Sequence, residues 1–370
     1  MKFSDVVGQE SLKARLVRGI QLGKVPHAQF FAGNPGSGNL ALALAYATYC
    51  LCSNRNENDS CGECPSCQKM ASFTHPDVHY TFPVPNLKNK QGSADFYADW
   101  RSTLAQGPYF TYEKWMLKLG AENKQGNIAV DECRAIIRNL SMKAFEGGYK
   151  ILILWQPEYL GPQGNILLKF IEEPPDNTLF LLVGTNTNKV LSTILSRSQL
   201  LRVPPVDDES LSLYLQQTQG MDKSNADRVA LMSAGSVVKA EELLNVSENV
   251  FLQPLREWLN MCYALRMNEA LKWADNFGGE GREVLKGFFG YAMEMMRAVA
   301  VQHILGERSG LSEQEREFVS RFSKIVHPGK VDSIYGHLNS AYYELERNGQ
   351  PKYILSDLSF KFSRVIRAAG

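Results

Sequence analysis

The stretch from residue 28 to residue 52 constrains the fold more strongly than any other part of the chain. It runs from the apolar segment "AQFFAG" through the glycine-rich "NPGSG" into the long apolar segment "LALALAYATYCLC". The first segment is typical of a short buried strand and the last of a helix. Between them, the backbone N–H groups of the loop and the N-terminus of the helix together favour an anion. The order of strand, tight loop and helix therefore predicts a phosphate-type loop.

Two later segments repeat the alternation of strand and helix. "YKILILW" at 149–155 and "TLFLLVGTN" at 178–186 are apolar runs of the kind found in parallel strands that are covered on both faces. The helical segment "GNILLKFIEE" lies between them and is stopped by Pro174 and Pro175. This alternation predicts a doubly wound α/β domain with functional residues at the carboxyl ends of its strands.

The pattern changes after "VPPVDDES", and a chain of 370 residues is expected to form two or three domains. We predict three of them: an α/β domain at 1–206, a small all-helical unit at 207–248, and a larger all-helical domain at 249–370. Within the first domain, residues 81–127 form an irregular excursion that is rich in aromatic residues.

A cysteine-rich insertion at 50–67 carries the strongest chemical signal. The spacing Cys-x8-Cys-x2-Cys-x2-Cys can bring four thiolates together around one tetrahedral Zn²⁺. The four cysteines are Cys52, Cys61, Cys64 and Cys67. Such a closed site implies structure rather than catalysis. Cys50 lies about 200° from Cys52 around a helix axis, so one of the two belongs to the core and the choice of fourth ligand stays open. Reduced cysteines without metal, or an iron–sulfur cluster, are the less favoured alternatives.

The glycine loop departs from a working nucleotide loop at two positions. The pattern G-x-x-x-x-G-K-[ST] needs a lysine for the phosphates and a hydroxyl for magnesium. The glycines are present as Gly33, Gly36 and Gly38, but Asn39 and Leu40 follow them. Asn39 carries no charge and Leu40 cannot bind a metal ion. A phosphate loop by ancestry, and not by use, is the favoured interpretation; a chance glycine turn is the alternative.

The strand at 149–155 shows a second and separate loss. After "ILIL", an active ATPase would carry the Asp-Glu pair that binds magnesium and activates water, but this chain carries Trp155 and Gln156. Both losses fall in the same predicted cleft. We therefore expect that the chain neither binds ATP productively nor hydrolyses it.

Charge and the N-terminal segment narrow the setting in which the chain acts. Forty basic and 39 acidic residues give a net charge of +1, so no bulk basic excess indicates direct DNA binding. The start "MKFSDVVGQESLKARL" lacks the apolar core of a signal peptide, and no run of about 18 apolar residues suggests a membrane span. We expect a cytoplasmic protein with no membrane partner.

Taken together, several motifs resemble one known family, the bacterial sliding-clamp loader subunits of the AAA+ type. They are "VVGQE", "HAQFFAGNPGSG", the four-cysteine insertion, "NILLKFIEEPP", "LLVGTN", "ILSRS" and "NGQPKYILSDLSFKF". The resemblance covers nearly the whole chain apart from residues 81–127. It implies a P-loop-type AAA+ α/β domain, a helical lid at 207–248, and an all-α collar at 249–370 through which subunits assemble.

The resemblance also assigns roles to single residues. Arg197, in "SRS", matches the family's "SRC" arginine, which projects into the nucleotide site of the adjacent motor subunit as an arginine finger. An ordinary surface or helix-cap arginine is the alternative. Thr185 and Asn186 match a polar sensor at a strand tip. Val238 stands where an active relative would carry a second arginine, which is a third loss in the nucleotide machinery.

The function that the resemblance implies is that of a stator without ATPase activity in the DNA polymerase III clamp loader. Its partners would be motor subunits of gamma/tau type and a delta-type subunit, and through the complex the β sliding clamp and primed DNA. Structural zinc would be its cofactor. An active gamma/tau-type ATPase and a zinc-containing DNA-binding module outside replication are the alternatives. The 81–127 excursion either contacts DNA or another subunit, or is a surface insertion, which is the favoured interpretation.

Overall fold

A computed structural model describes residues 1–86, 92–122, 124–244, 251–305 and 311–367. The chain divides into two compact units. The first comprises Met1–Gly220 with Ser233–Lys239, and the second comprises Met221–Met232 with Ala240–Gly370. The three-domain division stays a prediction. Parts of two predicted features, the excursion at 87–91 and 123 and the boundary between lid and collar at 245–250, lie outside the described residues.

The first unit is built on a five-stranded sheet in which all pairings are parallel, in the order β2-β5-β6-β1-β7. A separate antiparallel pair joins β3 to β4. The predicted parallel α/β architecture is thus confirmed. The strand bounds are β1 (Ala28–Gly33), β2 (Val78–Thr81), β3 (Val84–Pro85), β4 (Gly126–Asn127), β5 (Lys150–Trp155), β6 (Thr178–Gly184) and β7 (Gln199–Val203).

The strand order places a crevice beside β1. Every residue of β5 and β6 is buried, as expected for central strands covered on both faces. The chain leaves β1 for the β2 edge, returns through β5 to β6, and then crosses to β7 on the far side of β1. In an open α/β sheet, ligands bind at the carboxyl ends of the strands where the connections diverge. Here that point lies between β1 and β6.

Helices surround this sheet on both faces. Their bounds in the first unit are α1 (Glu10–Gln21), α2 (Asn39–Leu51), α3 (Pro65–Ala71), α4 (Tyr97–Gln106), α5 (Tyr112–Lys118), α6 (Val130–Ser141), α7 (Leu168–Glu172), α8 (Ser192–Leu195) and α9 (Asp208–Gln219). Nearly all of α2 is buried, which agrees with a sequence that is apolar around its whole circumference. The helix predicted at 164–173 is α-helical only from Leu168, because a 3₁₀ segment, Gly161–Leu167, precedes it.

The described part of the aromatic excursion is built into the α/β unit instead of lying on its surface. Trp100 on α4 and Trp115 on α5 are fully buried. Phe82 stacks on Trp100 at 4.2 Å between ring centroids, and Trp155 at the end of β5 lies 5.3 Å from Trp100. The Trp115 indole N–H donates to the Pro83 carbonyl at 2.9 Å. The excursion and the sheet thus share one aromatic core.

Replacing Trp100 with alanine should lower the free energy of unfolding by about 3–5 kcal/mol, since a fully buried aromatic side chain leaves a cavity. Urea denaturation followed by circular dichroism measures this change. Leu117→Ala is the matched control, because Leu117 lies on α5 in the same insertion and is 54% exposed; its effect should stay within about 0.5 kcal/mol. Equal small losses for the two variants would show that the insertion does not pack as described.

The second unit is all helical in its described residues. Its helices are α10 (Lys223–Met232), α12 (Leu252–Tyr263), α13 (Met267–Phe277), α14 (Arg282–Leu305), α15 (Glu313–Ser323), α16 (Pro328–Glu346) and α17 (Pro351–Arg367), while α11 (Val237–Leu244) begins in the first unit and ends in the second.

Its core is aromatic. Trp258 stacks on Trp273 at 5.3 Å, packs on Phe362 at 4.8 Å, and donates its indole N–H to Ser359 Oγ at 2.8 Å. Met295 is buried in the same cluster. No helix in the parts of the chain that the structure describes is long and apolar enough to cross a membrane.

Candidate functional site

A cavity of about 590 Å³ opens at the carboxyl ends of β1, β5 and β6. It collects most of the residues that the sequence assigned to a nucleotide cleft. Those that line it are Gly36, Gly38, Asn39, Leu40, Trp155, Gln156, Thr185 and Asn186. The glycine loop, the end of β5 at Trp155 and Gln156, and the strand tip at Thr185 and Asn186 thus meet at one cavity.

Asn39 occupies the lysine position of the glycine loop and is turned into the sheet. Its Nδ2 donates to the Gly184 carbonyl at 3.0 Å and to the Gly33 carbonyl at 3.3 Å. Its Oδ1 accepts the Leu40 N–H at 3.0 Å. The side chain therefore joins the ends of β1 and β6 instead of offering a charge to the cavity. Leu40, in the place of the magnesium-binding hydroxyl, is buried.

Other parts of the same unit hold the glycine loop from outside. Three loop carbonyls accept hydrogen bonds: Ser37 O from Gln9 Nε2 at 3.1 Å, Pro35 O from Ser236 Oγ at 2.9 Å, and Gly36 O from the Val237 N–H at 3.0 Å. The approach at Gly36 is so close that a Cβ there would lie 2.2 Å from Ser236 Oγ, and its φ of +84° also favours glycine. The loop is fixed by the protein's own donors.

The aromatic excursion contributes Tyr109, a residue of this site that nothing in the sequence pattern indicated. The Tyr109 side chain is buried, and its hydroxyl oxygen accepts the Val7 N–H at 2.9 Å. Its ring would lie 3.5 Å from a Cβ placed on Gly38. Tyr109 thus stands between the N-terminal segment and the glycine loop, and the residues around it, 108–113, line one side of the cavity.

Glu158 is a second residue that the sequence reasoning missed. Its Oε1 accepts the N–H groups of Thr185 at 2.6 Å and of Asn186 at 2.7 Å. The carboxylate therefore caps the end of β6, at the predicted sensor position. An acidic residue three positions after Trp155, in "WQPE", was the available signal.

Trp155 itself is buried against Trp100 and against Phe110, whose ring centroid lies 5.1 Å away.

Arg197 lies apart from the residues that line the cavity, in the turn that follows α8. Its side chain is 33% exposed and forms an ion pair with Glu172, with Nε 3.2 Å from Oε2. Its Nη1 donates to the Thr193 carbonyl at 3.1 Å.

Val238, at the position of the expected second arginine, is buried beside Gly36 and offers no charge to the cleft.

A candidate metal centre lies between α2 and α3. The Sγ atoms of the predicted ligand set, Cys52, Cys61, Cys64 and Cys67, all lie within 4.8 Å of one another. Three of the pairs are 3.5, 3.9 and 3.9 Å apart. Tetrahedral zinc with Zn–S bonds of about 2.3 Å requires sulfur pairs about 3.8 Å apart. The four cysteines could therefore bind a metal ion, and Cys50 is not one of them.

The surroundings of these thiols suit a closed metal site. Two backbone N–H groups point at sulfur: Cys61 N–H at Cys52 Sγ and Cys64 N–H at Cys61 Sγ, both at 3.3 Å. The N–H groups of Cys64 and Glu63 lower the pKa of the Cys61 thiol, whereas burial raises the pKa of Cys52 and of Cys67. A bound cation would turn all four into thiolates. Cys50 points into the core, where burial raises its pKa to about 12.

A family model described as DNA polymerase III, delta subunit, matches residues 8–207, just over half of the chain. The chain is 28% identical over 223 residues to DNA polymerase III subunit delta' of Escherichia coli, covering 60% of this chain and 55% of that protein. It is 26% identical over 274 residues to subunit delta' of Yersinia pestis, covering 74% and 66%.

Subunits named gamma/tau also match. The chain is 31% identical over 199 residues to DNA polymerase III subunit gamma/tau of Mycoplasma pneumoniae, covering 54% of this chain and 23% of that protein. The chain thus spans between about a quarter and two thirds of the length of these relatives. The likeness is to both delta' and gamma/tau subunits.

Proposed function

Because the chain belongs to the DNA polymerase III delta subunit family, we propose that it is the delta prime-type subunit of a clamp loader. In this role it neither binds ATP productively nor hydrolyses it. It holds its place in the complex as a stator while neighbouring motor subunits hydrolyse ATP to load a sliding clamp on primed DNA. Its partners are gamma/tau-type motor subunits and a delta-type subunit, and through them the clamp and DNA.

One observation carries this proposal: Asn39 joins the ends of β1 and β6 at the position where a nucleotide loop needs its lysine. A working loop places a positive charge against the β- and γ-phosphates. Here that position is a neutral amide committed to two backbone carbonyls, and no carboxylate stands at Trp155 or Gln156 for magnesium. The cleft supports a structural use of the nucleotide fold.

Arg197 is the residue through which this chain would act on the ATP site of a neighbouring subunit. Arg197 lies outside the lining of this chain's own cavity and is partly exposed. A guanidinium offers forked N–H donors that match phosphate oxygens and stabilise charge in the transition state of phosphoryl transfer. We assign Arg197 the role of an arginine finger acting in trans on a neighbouring motor's ATP.

Structural zinc completes the proposal. Cys52 follows the end of α2, Cys64 immediately precedes α3 and Cys67 lies within it. An ion bound by the four thiolates would fix α3 to the end of α2, and a closed set of four protein ligands leaves no open position for chemistry. The helical lid at 207–248 and the collar at 249–370 remain part of the proposal, the collar as the region through which subunits assemble.

The active gamma/tau-type ATPase is the second candidate, favoured by the matches to motor subunits. It requires the lysine, the hydroxyl and the acidic pair that this cleft lacks. A zinc-containing DNA-binding module is opposed by the net charge of +1.

Purification of the tagged chain from its own cells, followed by mass spectrometry, tests the class. We expect a motor subunit and a delta-type subunit to be recovered with it. The untagged strain is the control for nonspecific recovery. Recovery of the intact chain without any DNA polymerase III subunit, under salt conditions that preserve protein complexes, would contradict the proposal.

A further inference from the structure

We propose that Glu172 is a positioning residue that holds Arg197 against the chain's own surface until an anionic group of a neighbouring subunit displaces it. The proposal rests on the trans-acting role of Arg197 given above and adds a regulator of that role. The contact between the two side chains is defined here as the Glu172–Arg197 latch. The ligand that opens the latch is a phosphate group, which carries more negative charge than the Glu172 carboxylate.

The contact is an ion pair with one hydrogen bond, from Arg197 Nη2 to Glu172 Oε1. Arg197 Nε lies 3.2 Å from Glu172 Oε2, and Nη2 lies 3.4 Å from Oε1. Both carboxylate oxygens thus lie close to the guanidinium, and Nη2 alone donates a hydrogen bond to them. Carboxylate and phosphate compete for the same forked arrangement of N–H groups. An Arg197 bound in this way is not available to a phosphate until Glu172 releases it.

The other edge of the guanidinium is held as well. Nη1 donates to the Thr193 carbonyl at 3.1 Å and lies 3.4 Å from Ser196 Oγ. Nη1 and Nη2 therefore each donate a hydrogen bond within this chain, whereas the buried Nε lies within ion-pair distance of Glu172 without forming a hydrogen bond. Arg197 is oriented back along α8, and reaching another subunit requires a change of side-chain conformation.

The two halves of the latch come from elements that are packed together. Glu172 is the last residue of α7, and Pro174 and Pro175 follow it closely. Gly164, just before α7, approaches α8 so closely that a Cβ there would lie 3.0 Å from Leu191 Cδ1 and 3.3 Å from Ile194 Cδ1. This packing fixes the distance between the Glu172 and Arg197 backbones, so the latch closes through the side chains alone.

Exposure sets the strength of the latch. The side chains of Glu172 and Arg197 are 55% and 33% exposed, and a partly exposed ion pair shifts an equilibrium by at most about fivefold. The latch is therefore weak enough for a multiply charged phosphate to open. Removing the Glu172 charge should make Arg197 available more often without altering the fold.

The first test measures ATP hydrolysis by the complete clamp-loader complex carrying Glu172→Gln. Glu173→Gln is the matched control, because Glu173 is the adjacent exposed carboxylate and undergoes the same change in charge. We expect E172Q to raise the rate by about two- to fivefold and E173Q to leave it unchanged. The double variant E172Q/R197A should behave like R197A alone.

The outcomes separate the latch from the role of Arg197. If R197A lowers the rate while E172Q leaves it unchanged or lowers it, the latch is overturned and the proposed function still stands. An R197A complex with an unchanged rate would overturn the trans-acting role, and the latch with it. A rise with E172Q that persists in the double variant would show that Glu172 acts on something other than Arg197, and would also overturn the latch.

A second test needs neither partner nor activity. In the full chain, the Arg197 Nε–H resonance, assigned by its loss in R197A, should move on E172Q and stay in place on E173Q. Inorganic phosphate is then titrated into each protein. The wild-type chain should need a higher phosphate concentration than E172Q to shift the Arg197 resonance. An Arg197 resonance insensitive to E172Q would show that the contact does not form in solution, whatever the rates are.

Discussion

Replacing Arg197 with alanine is expected to lower hydrolysis at the neighbouring ATP site by about 10³-fold or more. The guanidinium stabilises charge on the transferring phosphoryl group, and alanine leaves that charge uncompensated. Because Arg197 lies outside the cavity and its side chain is partly exposed, the change should leave folding and assembly intact. Single-turnover hydrolysis by the reconstituted complex is the appropriate measurement, since sites served by other subunits would mask the loss in a steady-state rate.

Two variants sharpen this result. Arg197→Lys keeps the charge but removes the forked donors, so it should recover little of the lost rate. Arg202→Ala is the matched control, because Arg202 is another exposed arginine of the same unit, on β7. The complex that carries R202A should hydrolyse ATP at the wild-type rate. Hydrolysis by R197A at the wild-type rate, in a complex shown to be fully assembled, would rule out the trans-acting arginine.

Replacing Cys64 with serine should have the largest effect on stability, because structural zinc in small domains contributes about 10–16 kcal/mol of apparent binding free energy near pH 7. We expect the purified wild-type chain to contain about one zinc per chain and C64S to contain far less. The melting temperature should fall in parallel. Elemental analysis and calorimetry of protein prepared without chelator measure the two quantities.

Cys50→Ala serves as the control for the metal site. Cys50 is buried in the core and stands outside the cluster of four sulfur atoms, so its replacement should leave the zinc content unchanged. Equal zinc loss in C50A and C64S would place the ligand set elsewhere. Wild-type protein without zinc, when purified in the absence of chelators, would contradict the metal site altogether.

Features encoded by local patterns could be predicted from the sequence. The apolar runs that became β1, β5 and β6 are long enough to identify buried parallel strands, and the short cysteine spacing limits the geometry of the four thiols. The losses at Asn39 and Trp155 were equally visible, because the expected residue types are fixed by the chemistry of ATP. The local sequence also separated the helical C-terminal part from the α/β part.

Contacts between distant residues could not be predicted in this way. Tyr109 reaches Val7 across 102 residues, and Glu172 meets Arg197 across 25. Such pairs depend on how elements pack, and neither hydrophobic periodicity nor residue spacing records that packing. The aromatic excursion shows the same limit, since its irregular pattern favoured a surface insertion, whereas Trp100 and Trp115 lie in a core shared with β5.

Calorimetric titration of the isolated full chain with ATP, with and without magnesium, tests most directly whether the cleft binds nucleotide productively. Asn39 is committed to the ends of β1 and β6, and Tyr109 lies against the glycine loop. We expect no magnesium-dependent binding tighter than about 1 mM. Magnesium-dependent binding in the micromolar range, followed by turnover, would contradict this expectation and identify the chain as a motor subunit.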